Sequence, residues 1–327
     1  MLRIVFTSED IARTRIASQP DPGWEMIMGL QMLRRQQGDL LFTEWRQTSL
    51  AELKAKVPRD ELRLLLALSP TIGYYPDFLT PAESARGLEY GLEAIRSTPI
   101  PMLGRDLRRL AERNSKLPPG IPELVRGEPA ALKRLTDSMR AFHSLAIAPH
   151  QPRIDSAIDR DRGQRMREMM NGGVEALLNS LRPMASYSGG ELRVPAHRDQ
   201  EVHLGGRGLT LIPSYFNLVQ PVTLFDPELP PVLIYPVERP PGTIVTVEAK
   251  ENGSLGPLIG QTRSAMLYAI GTGATTSDLA RRAAISVASA SEHATILRDA
   301  RLITSHRDRN RMVHQLTRLG MELLRND

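Results

Sequence analysis

Residues 275–317 read TTSDLARRAAISVASASEHATILRDARLITSHRDRNRMVHQLT, and this stretch decides the fold of the last quarter of the chain. Thr276 or Ser277 caps a first helix in which Leu279 and Ala283 point inward. Ala284, Ile285 and Ser286 make a turn. Ser286 is a natural N-cap for a second helix, because its hydroxyl can take a free backbone N–H. In that helix Val287, Ala290, Ala294 and Leu297 form an inward stripe at helical spacing. The other side carries Ala288, Ser289, Ser291, Glu292 and Thr295, with Ile296 near its border and His293 on the flank. Two strand-like runs follow, 302–307 and 311–316, joined by Asp308, Arg309 and Asn310. Asn310 tolerates a left-handed turn conformation. Arg307, Arg309 and Arg311 crowd the tip of this ribbon.

The order helix, turn, helix, basic hairpin is that of a winged helix-turn-helix. A second helix whose outer face enters a major groove, followed by a basic ribbon, is a device for reading duplex DNA. Small and polar side chains allow close approach; serine and threonine bond to base edges or phosphates, and Glu292 can accept from a cytosine amino group. Arginine on a projecting ribbon suits phosphates or a narrow minor groove. The composition of the helix face alone fits a solvated surface equally well, and the hairpin is what favours DNA. The candidate DNA-contacting set is Ser286, Ser289, Ser291, Glu292, His293, Thr295, Arg307, Arg309 and Arg311. Upstream, residues 255–270 read as one amphipathic helix, with Leu255, Leu258, Ile259, Thr262, Met266, Leu267 and Ile270 near one face. Residues 318–325 read as a last short helix.

Charge supports a polyanion partner for this end. The chain of 327 residues carries a formal +5, and residues 255–327, with ten arginines, no lysine and six acids, account for +4 of it. The length suggests two or three domains. Absence of cysteine excludes disulfides, thiolate metal sites and a cysteine nucleophile. No apolar run has the length of a secretory signal or a spanning helix, so the expectation is a cytoplasmic protein that does not enter membranes.

The expected fold class is α+β, in three parts: a mainly helical domain at 1–189, a small antiparallel β region with linker at 190–250, and the winged helix-turn-helix at 251–327. Asp21-Pro22 opens one helix, and Thr80-Pro81-Ala82-Glu83 signals another running to about residue 97. Further helices are expected at 102–113 and 129–146. A long pattern over 154–181 places Met166, Met170, Val174, Leu177, Leu178 and Leu181 on a core stripe, with a kink at Gly172-Gly173. Short β-rich runs at 191–195, 201–204, 208–216, 222–225 and 232–235 read as a small antiparallel sheet or hairpins, and residues 238–242 as a linker.

No catalytic constellation emerges, and an enzyme is not expected. His197 and His203 with Asp199 and Glu201 match no zinc spacing and read as exposed loop residues. Gly205-Gly206-Arg207-Gly208 reads as a hairpin turn, because an extended run rather than a helix follows. Ser186, Ser188 and Ser214 lack a nucleophile-elbow context. No metal or cofactor is implied.

Residues from about 255 to 324 resemble winged-helix transcriptional regulators of the ArsR type. The matching residues are Asp278-Leu279-Ala280, Ile285-Ser286, Ser291-Glu292-His293, Leu297-Arg298-Asp299-Ala300, Leu302-Ile303, and the hairpin ending in Leu316-Thr317. The resemblance implies a homodimer on a roughly palindromic operator, acting as a repressor. It also implies recognition-helix contacts from Ser289, Ser291, Glu292 and Thr295, and wing contacts from Arg307, Arg309 and Arg311. Metal sensors of that type carry cysteines where this chain has Thr275 and Ser277, and the ligands of their final helix are missing from residues 318–327. Glycine is usual near 284, 301 and 309, where Ala284, Arg301 and Arg309 stand here. The front region looks like the long amino-terminal extension of one ArsR-type subgroup, through residues 205–209, Pro213-Ser214 and residues 233–236. Dimerisation, sensing of a small-molecule effector, or both are its expected roles. The alternative is a winged-helix protein-interaction module without specific DNA binding, since Glu292, Asp299 and Asp308 dilute the basic face.

Overall fold

The computed structural model describes the chain apart from residues 36–38, 72, 113–117, 196, 219, 238–254, 271–272, 284, 309–310 and 326–327. Arg309, the linker at 238–242 and Ala284 therefore lie outside the described residues. The fold is mixed α+β, and the chain divides into two compact units. One comprises Met1–Arg34 with Ser49–Glu238, the other Arg35–Thr48 with Arg239–Asp327.

The first unit starts with strand β1 (Leu2–Val5), which buries Leu2 and Ile4 and exposes Arg3 between them, the alternation of a strand with one face in the core. Helix α1 (Ser8–Arg13) opens on a capping box in which the Thr7 hydroxyl and the Asp10 carboxylate each take the other's backbone N–H. Strand β2 (Arg15–Ile16) precedes α2 (Pro22–Met32), which is buried along nearly its whole length. Asp21 caps α2, accepting from the N–H groups of Gly23 and Trp24. Helix α3 (Asp39–Lys56) is shared, its residues up to Thr48 belonging to the second unit and those from Ser49 to the first. Helices α4 (Arg59–Leu68), α5 (Leu88–Arg96), α6 (Ile100–Ala111), α7 (Ile121–Val125), α8 (Pro129–Phe142) and α9 (Gln151–Asn179) follow in the first unit.

Two helical expectations need correcting. The Thr80 signal opens only a 3-10 segment, Ala82–Arg86, before α5. Gly87, at φ 128, interrupts the helix, and the Thr80 hydroxyl donates back to the Asp77 carbonyl instead of capping forward. In α9 the kink falls at Gly172 and Gly173 as the glycine pair predicts, but Met166 and Met170 are 51% and 82% exposed. The core stripe survives only beyond the kink, at Leu177, Leu178 and Leu181 with Val174 partly buried. A kink turns the following helix about its axis, so spacing counted straight across it no longer marks one face.

The sheets also depart from the sequence reading. Strands β3 (Ser186–Ser188), β4 (Glu191–Val194) and β5 (Gln200–His203) join β1 in the order β3-β4-β1-β5, with β1 antiparallel to β4 but parallel to β5. Strands β6 (Thr210–Ser214) and β7 (Val232–Pro236) form a wholly parallel sheet with β2. The region is thus not the antiparallel set expected. Two of its strands come from the start of the chain, and residues 215–231 carry the chain back between β6 and β7, which parallel pairing requires. Of the expected strand at 222–225 only a Val222–Ile234 bridge forms. Leu2, Ile4 and Phe6 share one core with Leu177, Leu192, Val194, Leu211 and Tyr235, so the strands at 186–236 are not packed as a separate subdomain. The glycine-rich turn links β5 to β6 in different sheets and is not a hairpin. Its Gly208 sits at φ 74, where an added Cβ would meet the Arg13 carbonyl oxygen at 2.6 Å.

The second unit contains α10 (Leu255–Ile259), α11 (Gln261–Ile270), β8 (Ala274–Thr275), α12 (Thr276–Ala283), α13 (Val287–Asp299), β9 (Ile303–Asp308), β10 (Arg311–Leu316) and α14 (Arg318–Arg325). The single helix expected over 255–270 breaks at Gly260, φ 86, which leaves Leu258 74% exposed. Strand β10 lies between β8 and β9, antiparallel to both. The core joins Leu255, Met266, Leu267, Ile270, Leu279, Ala290, Ala294, Leu297, Leu302 and Ile303. Each fully buried leucine or isoleucine contributes roughly 1.5–3 kcal/mol. Val287, read as part of the inward stripe, is instead 55% exposed. On an ideal helix it lies only about 20° from buried Ala294, so its exposure reflects its place in the first turn of α13 and not a different helix face.

Candidate nucleic-acid interface

Three local devices set the geometry of α12, α13 and the hairpin. Helix α12 is capped by Thr275, one residue earlier than expected: its hydroxyl accepts the Asp278 N–H at 3.1 Å and donates to the Asp278 carboxylate at 2.7 Å. That hydroxyl, with the Arg281 guanidinium at 2.6 Å, holds the Asp278 carboxyl below the usual carboxylate range. Helix α13 is capped by Ser286 as expected, its Oγ accepting from the Ser289 N–H at 3.0 Å. At the far end of α13, the Arg301 N–H donates to the Arg298 carbonyl at 2.8 Å and the Leu302 N–H to the Leu297 carbonyl at 2.9 Å. This is a Schellman closure, with its usual apolar contact supplied by buried Leu297 and Leu302. Arg301 holds the left-handed conformation, φ 58, which glycine adopts at less cost.

The nine expected contact residues fall into distinct places. Ser291 and Glu292 are exposed and Thr295 half-buried on the outward side of α13. Ala288, Ser291 and Thr295 lie within about 60° of one another on the helix wheel. Ser286 and Ser289 are engaged with each other in the cap, their hydroxyl oxygens 2.9 Å apart. His293 is half-buried on the opposite flank. Burial pushes its pKa below the ordinary histidine range, Arg263 on α11 adds to the shift, and Glu292 opposes it. The outward face therefore brings together Ser291, Glu292 and Thr295, with exposed Val287 and Ile296 to either side, and leaves His293 off it.

The hairpin register pairs Arg311 with Asp308, Met312 with Arg307 and Val313 with His306, leaving residues 309–310 as the connection. Paired residues share a face and faces alternate along each strand. Arg307 thus lies on the face of Ile303, Ser305, His314 and Leu316, whereas Arg311 lies on the opposite face with His306 and Val313. Both arginines are exposed, and neither pairs with an acid among the described residues. Arg281, Arg298 and Arg318 are, by contrast, paired with Asp278, Asp299 and Glu322.

His314, 4% exposed, was not singled out in the sequence. One ring nitrogen lies 2.8 Å from Thr276 Oγ1 and the other 2.8 Å from Ser305 Oγ, tying the first residue of α12 to both hairpin strands. Burial, then the charges of Arg298 and His306, push its pKa below the ordinary range. The only sequence signal is a polar residue at an inward register position of an alternating strand.

In the first unit, the histidine and acid group does not converge. His203 Nε2 pairs with Glu201 at 2.7 Å, Asp199 with the chain's amino terminus at 2.7 Å, and His197 Nδ1 contacts the Arg198 carbonyl at 2.9 Å. Asp199 is exposed and outside any strand as expected; Glu201 and His203 are exposed as expected but stand on β5, and His197 is half-buried, so for these three the reading as exposed loop residues is corrected in part. Among the described residues no cluster of histidines and acids could hold a metal, and no helix is long and apolar enough to cross a membrane. No family model, curated protein or solved structure matches the chain.

Proposed function

We propose that this protein is a sequence-specific, double-stranded-DNA-binding transcriptional regulator that acts in the cytoplasm as a homodimer and represses its operator. In this reading, residues 255–325 are a winged helix-turn-helix, α12 and α13 are the paired helices, and β9–β10 is the wing. One observation carries it: a capped helix presents Ser291, Glu292 and Thr295 outward, followed by a ribbon whose described arginines have no acid partner. Helix α13 enters the major groove, Ser291 and Thr295 reach base edges or phosphates, and Arg307 and Arg311 take phosphates. A two-fold dimer then reads half-sites about one helical turn apart. The first unit dimerises, senses an effector, or does both. Exposed Val287 and Ile296 favour a second reading, in which the same face docks a protein.

Binding of the purified protein to a fluorescent duplex pool from its own upstream region, at two salt concentrations against random competitor, separates the two. The first reading expects tight, competitor-resistant binding that weakens steeply with salt. It also expects Ser291→Glu or Arg307→Glu to abolish that binding without unfolding the protein, because each places negative charge beside phosphate. Binding lost equally to random DNA, or indifference to both substitutions, overturns it.

A further inference from the structure

The first unit holds a cavity of about 490 Å³, within the size range of small-molecule sites. Its walls are mainly apolar, from Trp24 of α2, Phe78, Met102 of α6, Ile212 of β6, Leu224 and Val232 of β7, with the neutral residues Thr80, Ser97, Thr98 and Thr210 among them. Among them sits Asp21, 4% exposed. All three hydrogen bonds to its carboxylate fall on Oδ1, from the Gly23 N–H at 2.9 Å, the Trp24 N–H at 3.2 Å and the Ser84 hydroxyl at 2.6 Å. Oδ2 takes none from the described residues. A half-satisfied carboxylate in an apolar setting is costly unless a cation or a strong donor meets it. Burial accordingly pushes the Asp21 carboxyl above its ordinary range, against the Ser84, Trp24 and Gly23 hydrogen bonds.

The other buried acid in the wall, Asp77, has a partner on each oxygen. Its two oxygens take the Phe225 N–H at 3.1 Å and the Asp226 N–H at 2.9 Å. Asp77 thus adds negative potential while each of its oxygens already holds a backbone donor, unlike Asp21 Oδ2. At the rim, exposed Glu83 is set against exposed Arg15, so acids outnumber bases around the cavity. An apolar chamber with one open carboxylate oxygen and a negative lining selects for an apolar body carrying one cationic N–H donor. Anions meet repulsion, and neutral molecules leave Oδ2 without a charged partner.

We propose that this cavity binds an organic amine, a ring system of naphthalene size whose protonated amino group donates to Asp21 Oδ2. Its role as an effector site rests on the regulator reading above; its existence as a site does not. The test uses the full chain and three probes with the same ring: 1-naphthylmethylamine, 1-naphthylmethanol and 1-naphthoic acid. Binding is followed by calorimetry and by quenching of Trp24, with Trp45→Phe removing the only other tryptophan. The amine is expected to bind saturably, about tenfold or more tighter than the alcohol or the acid. Asp21→Asn keeps an Oδ1 acceptor for the α2 cap, so it is expected to retain the melting transition. It is also expected to lose about tenfold in amine affinity while leaving the alcohol unchanged. Met102→Trp, which fills the chamber, is expected to exclude the amine. Absence of saturable amine binding, equal binding of alcohol and amine, or an Asp21→Asn variant that binds the amine as tightly as the parent overturns the proposal. The duplex assay repeated with amine present keeps the two readings apart. Amine binding without a change in DNA affinity preserves the site and removes its effector role, and failure to bind DNA at all removes only the regulator reading.

Discussion

The same substitution, glycine to alanine, is expected to stabilise one helix of this protein and damage another. Gly163 lies within α9, where an added Cβ would meet only Arg167 Nη1 at 3.7 Å, an ordinary contact at the end of a flexible side chain. Nothing opposes the gain in helix propensity and the loss of unfolded-state freedom, so Gly163→Ala is expected to stabilise by about 0.5–1 kcal/mol. Gly320 lies within α14, where the same Cβ would stand 2.2 Å from the Leu302 carbonyl oxygen and 3.4 Å from Leu316 Cδ2. An ordinary carbon–oxygen contact is about 3.3 Å, so α14 must retreat by roughly 1 Å. That retreat pulls on the Thr317 N–H bond to the same carbonyl, now 3.0 Å and worth about 1 kcal/mol. It also lifts Leu323 and Leu324 from the core they pack against. Overpacking of this kind costs about 1–3 kcal/mol and outweighs the propensity gain, leaving Gly320→Ala destabilised by about 1–2 kcal/mol. Urea denaturation followed by circular dichroism, with amide exchange resolving α14, measures both variants, and separate transitions are fitted for the two units. A Gly320→Ala protein as stable as its parent, with α14 amides equally protected, would refute the steric argument.

Three further outcomes are expected. Arg301→Gly relieves the left-handed backbone at the end of α13 and is expected to raise stability by about 0.5–1 kcal/mol, seen as a higher melting temperature; an unchanged or lower one contradicts it. The folded His314 pKa lies below its unfolded value of about 6.5, so the unfolded chain binds more protons and stability falls as pH drops below that value. His293 shifts in the same direction, so urea midpoints between pH 7.5 and 5.5 are expected to flatten in His314→Gln without becoming level; an unaltered slope rules out the His314 share. Arg307→Ala is expected to weaken DNA binding evenly across sequences and reduce the salt slope by about one, whereas an unchanged slope means Arg307 meets no phosphate.

The sequence reading was most accurate where signals are local. Ser286 as a cap, the inward stripe of Ala290, Ala294 and Leu297, and the two strands around residues 308–311 all follow from spacing within a few residues. It failed where partners are remote. The run from Leu2 to Phe6 alternates as a strand should, but β1 pairs with strands almost two hundred residues away, and no local feature announces the parallel partner. Met166 and Met170 keep helical spacing with Leu177 only on paper, because Gly172 and Gly173 turn the helix between them. At the candidate interface, residue types were legible and roles were not. That Ser289 belongs to the cap, that His293 faces α11, and that His314 bridges two elements all depend on which neighbours fold brings near.

The placement of Arg307 and Arg311 on opposite faces of the hairpin gives the ribbon the character of a blade charged on both cheeks. Laid against a flat anionic surface, such a blade uses one cheek and turns the other to water. Slid edgewise into a slot walled by phosphates on both sides, a few ångströms wider than the ribbon is thick, it meets a wall with each. Shape, more than the amount of charge, then decides which surfaces the ribbon can grip.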